Sequence, residues 1–425
     1  MRIEQIHIKN YRVLRDAKLA LSSPLTIIIG ANGTGKSTLF DVFSFLKDAL
    51  AGNAASAVAR RGGFQQLVSQ GENGPVSITV KFRESSGRLA TYILEVASHQ
   101  GRVVVNREVL RYKRGRGRGR PWHFVDFSRG RGMAITNESL YGQEGVEEER
   151  EDYELDDPSI LAIKGLGQFR EFRVVSEFRS LIESWHISKL HIADVRSNAE
   201  AGFAEHLSPN GHNVAQVAQY LYENHPAQFG LVLDAMKARV PGVENIEAQP
   251  TEDGRLLLRF QDGSFRDPFV ARYVSDGTIK MFAYLVLLHD PNPHSLLAVE
   301  EPENQLYPSL LGELIEEFRA YAQRGGQAFV STHSPAFLRG AELSEIFWLV
   351  KADGFSEVRR ASDDQLLRNL VEAGDNPGAL WTQQLFDGAD PGRSPCARFE
   401  NSSRSCSRAS AKRSRHGAGS MGSEP

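Results

Sequence analysis

The chain has 425 residues, 41% of them hydrophobic and 24% charged, with a formal net charge of −3 and a pI near 6.5. That balance excludes a protein coated in positive charge, so any nucleic-acid contact needs a local basic patch, and it leaves room for two or three domain-sized units. Both cysteines, Cys396 and Cys406, fall in a Ser/Arg-rich tail, which excludes a disulfide framework or a cysteine metal cluster in the body.

In chain order, Ile6 and Ile8 alternate with polar neighbours and predict an edge strand, and the unbroken apolar run from Leu25 to Ile29, ending at Gly30, predicts a buried one. Leu39, Val42, Phe43, Leu46 and Leu50 then keep the 3, 4, 7 spacing of one helix face. From Val76 to Phe127 the period drops to two, through Ile78, Val80 and Phe82, then Ala90, Tyr92, Leu94 and Val96, then Val103 and Val105. This predicts an antiparallel meander.

The Arg/Gly run from Arg111 to Arg120 and the acidic run from Glu147 to Asp157 cannot fill a core and are expected as a charged loop. Phe169, Phe172, Phe178, Leu181, Ile182 and Trp185 sit at helical spacing, as do Val214, Val217, Ala218 and Leu221, and predict an arm or helical lobe. From Val243 onward strands and helices alternate: Leu256 to Leu258, a helix from Thr278, Leu296 to Val299, a helix after Pro308, Ala328 to Val330, and Ile346 to Val350. Such alternation predicts a parallel sheet covered by helices. The chain divides on this reading into a first lobe at 1–110, an inserted charged loop and helical arm at 111–205, a second lobe at 206–391, and a Ser/Arg/Gly tail at 392–425 expected as disordered.

Gly30-Ala-Asn-Gly-Thr-Gly-Lys-Ser-Thr38 satisfies G-x-x-x-x-G-K-[ST], with an apolar strand before it and an amphipathic helix after it. Backbone N–H groups across Asn32, Gly33, Thr34, Gly35 and Thr38 suit phosphate oxygens, Lys36 adds a positive charge for the β and γ phosphates, and the Ser37 hydroxyl can ligate Mg²⁺. Leu296 to Val299 ends in Glu300 and Glu301, consecutive carboxylates at the strand edge where parallel sheets bind ligands. Glu300 is the candidate for holding Mg²⁺, directly or through water, and Glu301 for orienting and deprotonating an attacking water. One strand further on, the run from Gln327 ends in His333, an imidazole suited to touching the γ phosphate or that water.

The order of phosphate loop, Ser275-Asp-Gly-Thr278, strand with Glu-Glu and strand with His resembles the ABC-type ATPase heads of the SMC and RecF class, closest to RecF-like and OLD-like ATPases filed with the AAA proteins. The resemblance implies an α/β P-loop NTPase head with a central mainly parallel sheet, an antiparallel β subdomain and an inserted helical arm. It makes Gly30 to Thr38 the Walker A loop, Leu296 to Glu301 the Walker B strand, Glu301 the catalytic base, Pro302 to Pro308 the D-loop region and His333 the switch histidine. Ser275, Asp276 and Gly277 look like the signature motif, with Asp276 in place of its first glycine. Gln65 or Gln66 stands for the metal-linked Gln-loop residue, and Arg12, in Tyr11 to Arg15, for a contact to the nucleotide base.

What this implies is an ATPase using ATP and Mg²⁺, forming a homodimer on ATP binding, in which one subunit's signature motif caps the nucleotide held by the other. A DNA-linked role in repair, maintenance or anti-phage defence is expected, with DNA and a separate nuclease or effector as further partners. The Arg111 to Arg120 run suits phosphate contact; pairing with the acidic run after Glu147 suits it equally. Location is expected to be cytoplasmic, with no membrane contact, since no signal-peptide core opens the chain and no apolar run reaches about 18 residues. An alternative is the nucleotide-binding subunit of an ABC transporter, against which stand Asp276 and the long insert between Lys36 and Ser275. A P-loop kinase leaves Ser275 to Thr278 and His333 unexplained.

Overall fold

The structure is a computed structural model and describes residues 1–112, 123–140, 149–197 and 199–389. Most of the Arg/Gly run, the start of the acidic run and the tail lie outside those residues.

Three sheets organise the described residues. The first is antiparallel and eight-stranded, in the spatial order Leu14–Ala20, Arg2–Tyr11, Val76–Arg83, Leu89–His99, Arg102–Tyr112, His123–Ser128, Arg131–Ile135 and Arg150–Glu154. Strand Val76–Arg83 buries every second residue, Val76, Ile78, Val80 and Phe82, which is the period-two pattern of the sequence made physical. The second sheet has six strands in the order His186–Ser188, Leu297–Glu300, Ala328–Ser331, Leu25–Ile29, Ile346–Ala352 and Phe355–Arg360, all pairs parallel except the last.

This second sheet is the wall between two hydrophobic cores. Ile28, Ala298, Phe329, Phe347 and Leu349 face the core of the antiparallel sheet, while Ile27, Val299, Val330, Ile346 and Trp348 face the other. A strand buried on both faces has no polar side to show, so Leu25–Ile29 reads as a continuous apolar run. Helix Lys36–Ala51 covers the first face, where Phe43 meets Phe329 at 4.9 Å and Trp185 at 5.5 Å between ring centroids.

Two expectations need correcting. The described part of 111–205 is not a separate arm: three of its strands extend the antiparallel sheet, and helix Arg173–Glu183 lays Phe178 on Phe82 at 4.4 Å and on Tyr92 at 4.6 Å. Burying Val174, Val175, Phe178, Leu181 and Ile182 is the reason it stays on the sheet, and Phe169, outside the helix, is left 58% exposed. Leu256 to Leu258, expected in the parallel sheet, belong to Arg255–Asp262, which pairs antiparallel with Val243–Pro250 in a third sheet. There Leu256, Leu258 and Phe260 are buried and face the core that also takes helices Val214–Asn224 and Pro226–Arg239. Among the described residues no helix is long and apolar enough to cross a membrane.

Fully buried Glu108 joins the antiparallel sheet to its covering helices by accepting from Ala162 N at 2.5 Å, Ile163 N at 3.1 Å and the Tyr92 hydroxyl at 3.0 Å. Burial pushes its carboxyl up to about 7 although all three donors favour the anion. A carboxyl with a raised folded-state pKa stabilises most below the unfolded value, and that contribution is lost as pH rises through the folded value. Glu108→Gln, which does not titrate, should therefore gain on the wild type by up to about 3 kcal/mol between pH 4.5 and 7.5. Urea unfolding of both proteins across that range checks it; a pH-independent difference would show that Glu108 is ionised throughout.

Candidate functional site

The parallel register sets the site. Glu300 pairs with Ser331 and Ser331 with Ile28, so three neighbouring strands end side by side at one edge. Backbone bonds continue the alignment past the strand ends, from Glu301 N to Ser331 O at 2.8 Å and from Thr332 N to Ile28 O at 3.1 Å. Gly30, Glu301 and His333, far apart in sequence, therefore emerge together.

The phosphate loop turns through left-handed backbone at Gly33 (φ 80°) and Gly35 (φ 96°), which glycine adopts without strain. A Cβ at Gly35 would meet Ser356 Oγ at 2.7 Å and Val13 Cγ2 at 2.8 Å. Ser356 belongs to the site's frame: its hydroxyl donates to Thr34 O at 2.6 Å and its N–H to Val13 O at 2.8 Å. Thr34 is buried and closes the loop by donating its hydroxyl to Ala31 O at 2.8 Å. Asn32, Gly33 and Ser37 are exposed and Thr38 half-buried, with Ser37 in the first turn of helix Lys36–Ala51, the positive end of its dipole. Lys36 is only 6% exposed and donates Nζ to Gly30 O at 2.8 Å and Ala31 O at 3.3 Å. Burial lowers its ammonium pKa, against the opposing pull of Glu301, Glu303 and Glu300.

Glu301 takes a left-handed backbone, φ 46°, uncommon for a residue with a Cβ and held by the Ser331 and Asn304 backbone bonds. Its Oε2 accepts from Asn304 Nδ2 at 3.2 Å, and its Oε1 lies 3.4 Å from His333 Nδ1. Glu303 is the more buried acid: its Oε1 accepts the Thr332 hydroxyl at 2.7 Å and His333 N at 3.0 Å. The histidine loop is held from its other side by Trp381 Nε1, which donates to His333 O at 3.1 Å. Glu303→Ala should strand two partly buried donors at about 1–3 kcal/mol each, and Glu303→Gln, which keeps an acceptor oxygen, should lose less. Thermal unfolding of the two variants separates them.

A phosphate loop, three clustered carboxylates and a histidine on one parallel-sheet edge are the parts of a nucleotide-hydrolysing head. The family described as "AAA domain, putative AbiEii toxin, Type IV TA system" matches residues 25–339, most of the chain. The chain belongs to that family. Its fold is that of an SMC head: it is similar to the structure described as the SmcHead bound to the C-winged helix domain of ScpA, with a TM-score of 0.52 at 15% identity, covering 84% of this chain and 97% of that one. A further SMC head domain, from Thermotoga maritima, aligns at 13% identity and a TM-score of 0.46 over 85% of this chain and 99% of that one. In sequence, 67 residues are 34% identical to the chromosome partition protein Smc of Methanococcus voltae, a stretch that is 16% of this chain and 5% of that protein. The chain is thus an AAA-domain protein whose fold is shared with SMC heads.

The Ser-Asp-Gly-Thr turn of this AAA-domain head opens helix Asp276–Leu288. Ser275 is the N-cap, accepting from Thr278 N at 3.3 Å, and its side chain is exposed. Asp276 is paired: Arg196 reaches Asp276 Oδ1 at 2.6 Å and donates to Val274 O at 2.5 Å. The turn is also tied to the residues after Glu301, since Lys280 Nζ donates to Asn304 O at 2.6 Å and a Cβ at Gly277 would stand 2.9 Å from Gln305 O.

Arg12 sits in a left-handed turn (φ 49°), with its guanidinium 3.0 Å from Asp41 Oδ2, so it is anchored to helix Lys36–Ala51. It lines a cleft of about 590 Å³ with Val13, Gln65, Gln66, Gly354 and Phe355. Gln65 thus stands with Arg12, and among the described residues no hydrogen bond links it to Ser37 or Glu300. Sequence reasoning missed Ser356, Arg196, Thr332 and Trp381, and took Glu303 only as part of a loop. Glu303 had a signal, a third acid one residue after Pro302 in the same strand-end turn; Ser356 had none.

Proposed function

We propose that this chain hydrolyses Mg-ATP at the edge formed by Lys36, Ser37, Glu300, Glu301 and His333, and that ATP joins two copies of it. The observation that carries this reading is the convergence of three parallel strand ends on the phosphate loop, which puts Glu301 within 3.4 Å of His333 and within the charge field of Lys36.

Asn32, Gly33, Thr34, Gly35, Lys36, Ser37 and Thr38 take the phosphates, and Lys36 exchanges its loop carbonyls for phosphate oxygens. Desolvation weakens its hold on a proton, and the facing acids oppose that shift. The clustered carboxylates and the exposed Ser37 hydroxyl are hard oxygen donors that fit Mg²⁺, with Ser37 and Glu300 as the holders. Bound there, the ion would neutralise charge on the β and γ phosphate oxygens. Glu301 orients the attacking water and accepts its proton; His333 orients Glu301 and reports the γ phosphate. Gln65 is the remaining proposed metal-linked group and Arg12 the proposed contact to the base.

Exposed Ser275, the Gly277 amide and the N-terminus of helix Asp276–Leu288 form an anion-binding turn suited to the γ phosphate of a second subunit. Tyr273 and Tyr307, 77% and 73% exposed, flank that turn and the Glu301 loop, which supports an interface there. The role we infer is DNA maintenance, repair or defence, performed in the cytoplasm with a separate effector. Light scattering with and without Mg-ATP, together with ATPase rates with and without DNA, tests it. A chain that stays monomeric at saturating Mg-ATP would remove the shared-site reading, and a rate indifferent to DNA would remove the DNA-linked one.

A further inference from the structure

Three histidines and an aspartate gather at the opposite end of the parallel sheet from the nucleotide edge. His186 opens strand His186–Ser188 and pairs with Leu297, the first residue of the strand that ends at Glu300. Asp290 and His294 lie in the connection from helix Asp276–Leu288 to that strand, and His206 lies ahead of helix Val214–Asn224. His206 Nδ1 is 2.7 Å from Asp290 Oδ2, and the ligating atoms of His206, Asp290 and His294 all fall within 4.8 Å of one another. His294 stacks on His186 with ring centroids 4.7 Å apart and lies 4.8 Å from the His206 ring.

Two details separate this cluster from an ordinary buried polar group. Asp290 and His186 are 4% and 5% exposed, and the buried Nε2 atoms of both His186 and His294 have no hydrogen-bond partner among the described residues. Folded proteins rarely leave such atoms unmet. The His294 ring also bonds the backbone at Ser184, which leaves Nε2 as its unpartnered nitrogen. A backbone bond to one ring nitrogen is the usual support for a histidine whose other nitrogen ligates a metal.

We propose that His206, Asp290 and His294 bind a divalent transition-metal ion, zinc foremost, with the stacked His186 as one wall of the site. Nitrogen and carboxylate donors in this number suit zinc. Tetrahedral zinc with bonds of about 2.0–2.2 Å sets its donors about 3.4 Å apart, so the set, now within 4.8 Å, closes by side-chain shifts of roughly an ångström. The ion would fasten the Asp290 to Ser295 connection, from which the Glu300 strand starts, to the segment carrying His206. The same connection is already tied to helix Arg173–Glu183, since Ser295 Oγ donates to Leu181 O at 2.9 Å.

The test uses the full chain without nucleotide, stripped with a chelator and then titrated with Zn²⁺ and, separately, Co²⁺. One Zn²⁺ per chain retained through gel filtration, a raised unfolding temperature, and a visible Co²⁺ band without sulfur charge transfer are expected. His294→Ala and Asp290→Asn should each weaken Zn²⁺ binding by on the order of 100-fold or more, while Cys396→Ser with Cys406→Ser leaves it unchanged. Uptake by folded wild type that is absent, that persists undiminished in both ligand variants, or that shows a sulfur band would overturn the proposal. If a ligand variant fails to fold, the wild-type Co²⁺ spectrum and stoichiometry still decide.

Discussion

Glu301→Gln is expected to bind ATP, to lose about 10²- to 10⁴-fold in turnover, and to accumulate as a dimer. The magnitude is that of removing a positioned general base. Glutamine fills the same volume and leaves the Asn304 and Ser331 backbone bonds that hold the φ of 46° untouched, so folding should be preserved. What is lost is an acceptor that can take a proton from water while His333 stands 3.4 Å away. Single-turnover rates and light scattering on the same sample measure both effects. Wild-type turnover in this variant would mean that Glu301 is not the base.

Lys36→Ala should abolish measurable ATP binding by itself, and mixing it with Ser275→Arg should bring activity back. Lys36 supplies a buried charge, and charge-assisted bonds to phosphate contribute about 1.5–3 kcal/mol each, so two lost bonds weaken binding on the order of 100-fold or more. Ser275→Arg leaves the phosphate loop intact but puts a bulky cation at the exposed helix N-terminus and removes its cap, at about 1 kcal/mol. Each variant alone lacks a complete composite site. In a mixed dimer, the loop of the Ser275→Arg subunit faces the unaltered turn of the Lys36→Ala subunit, restoring one site of two. Recovery approaching half of the wild-type rate is expected; activity no higher than the sum of the separate variants would place Ser275 outside the partner's site.

The division of the chain was the least legible feature of its fold. A glycine/arginine run beginning at Arg111 reads as a domain boundary, yet strands resume at His123 and helix Arg173–Glu183 returns to the same sheet. The amphipathic pattern around Phe178 announced a helix with one buried face. It could not announce that Phe82 and Tyr92 would be the surface it meets. The third sheet was misassigned for a related reason, because three consecutive leucines look alike in a parallel strand and in an antiparallel one with a half-covered second face.

The candidate site divides along the same line. Its phosphate loop, its acids after Val299 and its histidine after Ser331 were legible because each is a short run whose neighbours dictate its backbone: apolar strand, abrupt turn, polar tip. Sequence by itself thus determined which residues stand at strand ends, and the continuous apolar runs implied a sheet buried on both faces. Only tertiary structure decided their partners. Ser356 is 322 residues from Thr34, whose carbonyl it holds. Asp276 finds Arg196, Glu303 takes the backbone of His333, and His206 meets His294. Local patterns depend on backbone periodicity within a few residues, whereas these contacts depend on strand order and helix packing that bring distant segments within a few ångströms, and no spacing in the chain records that.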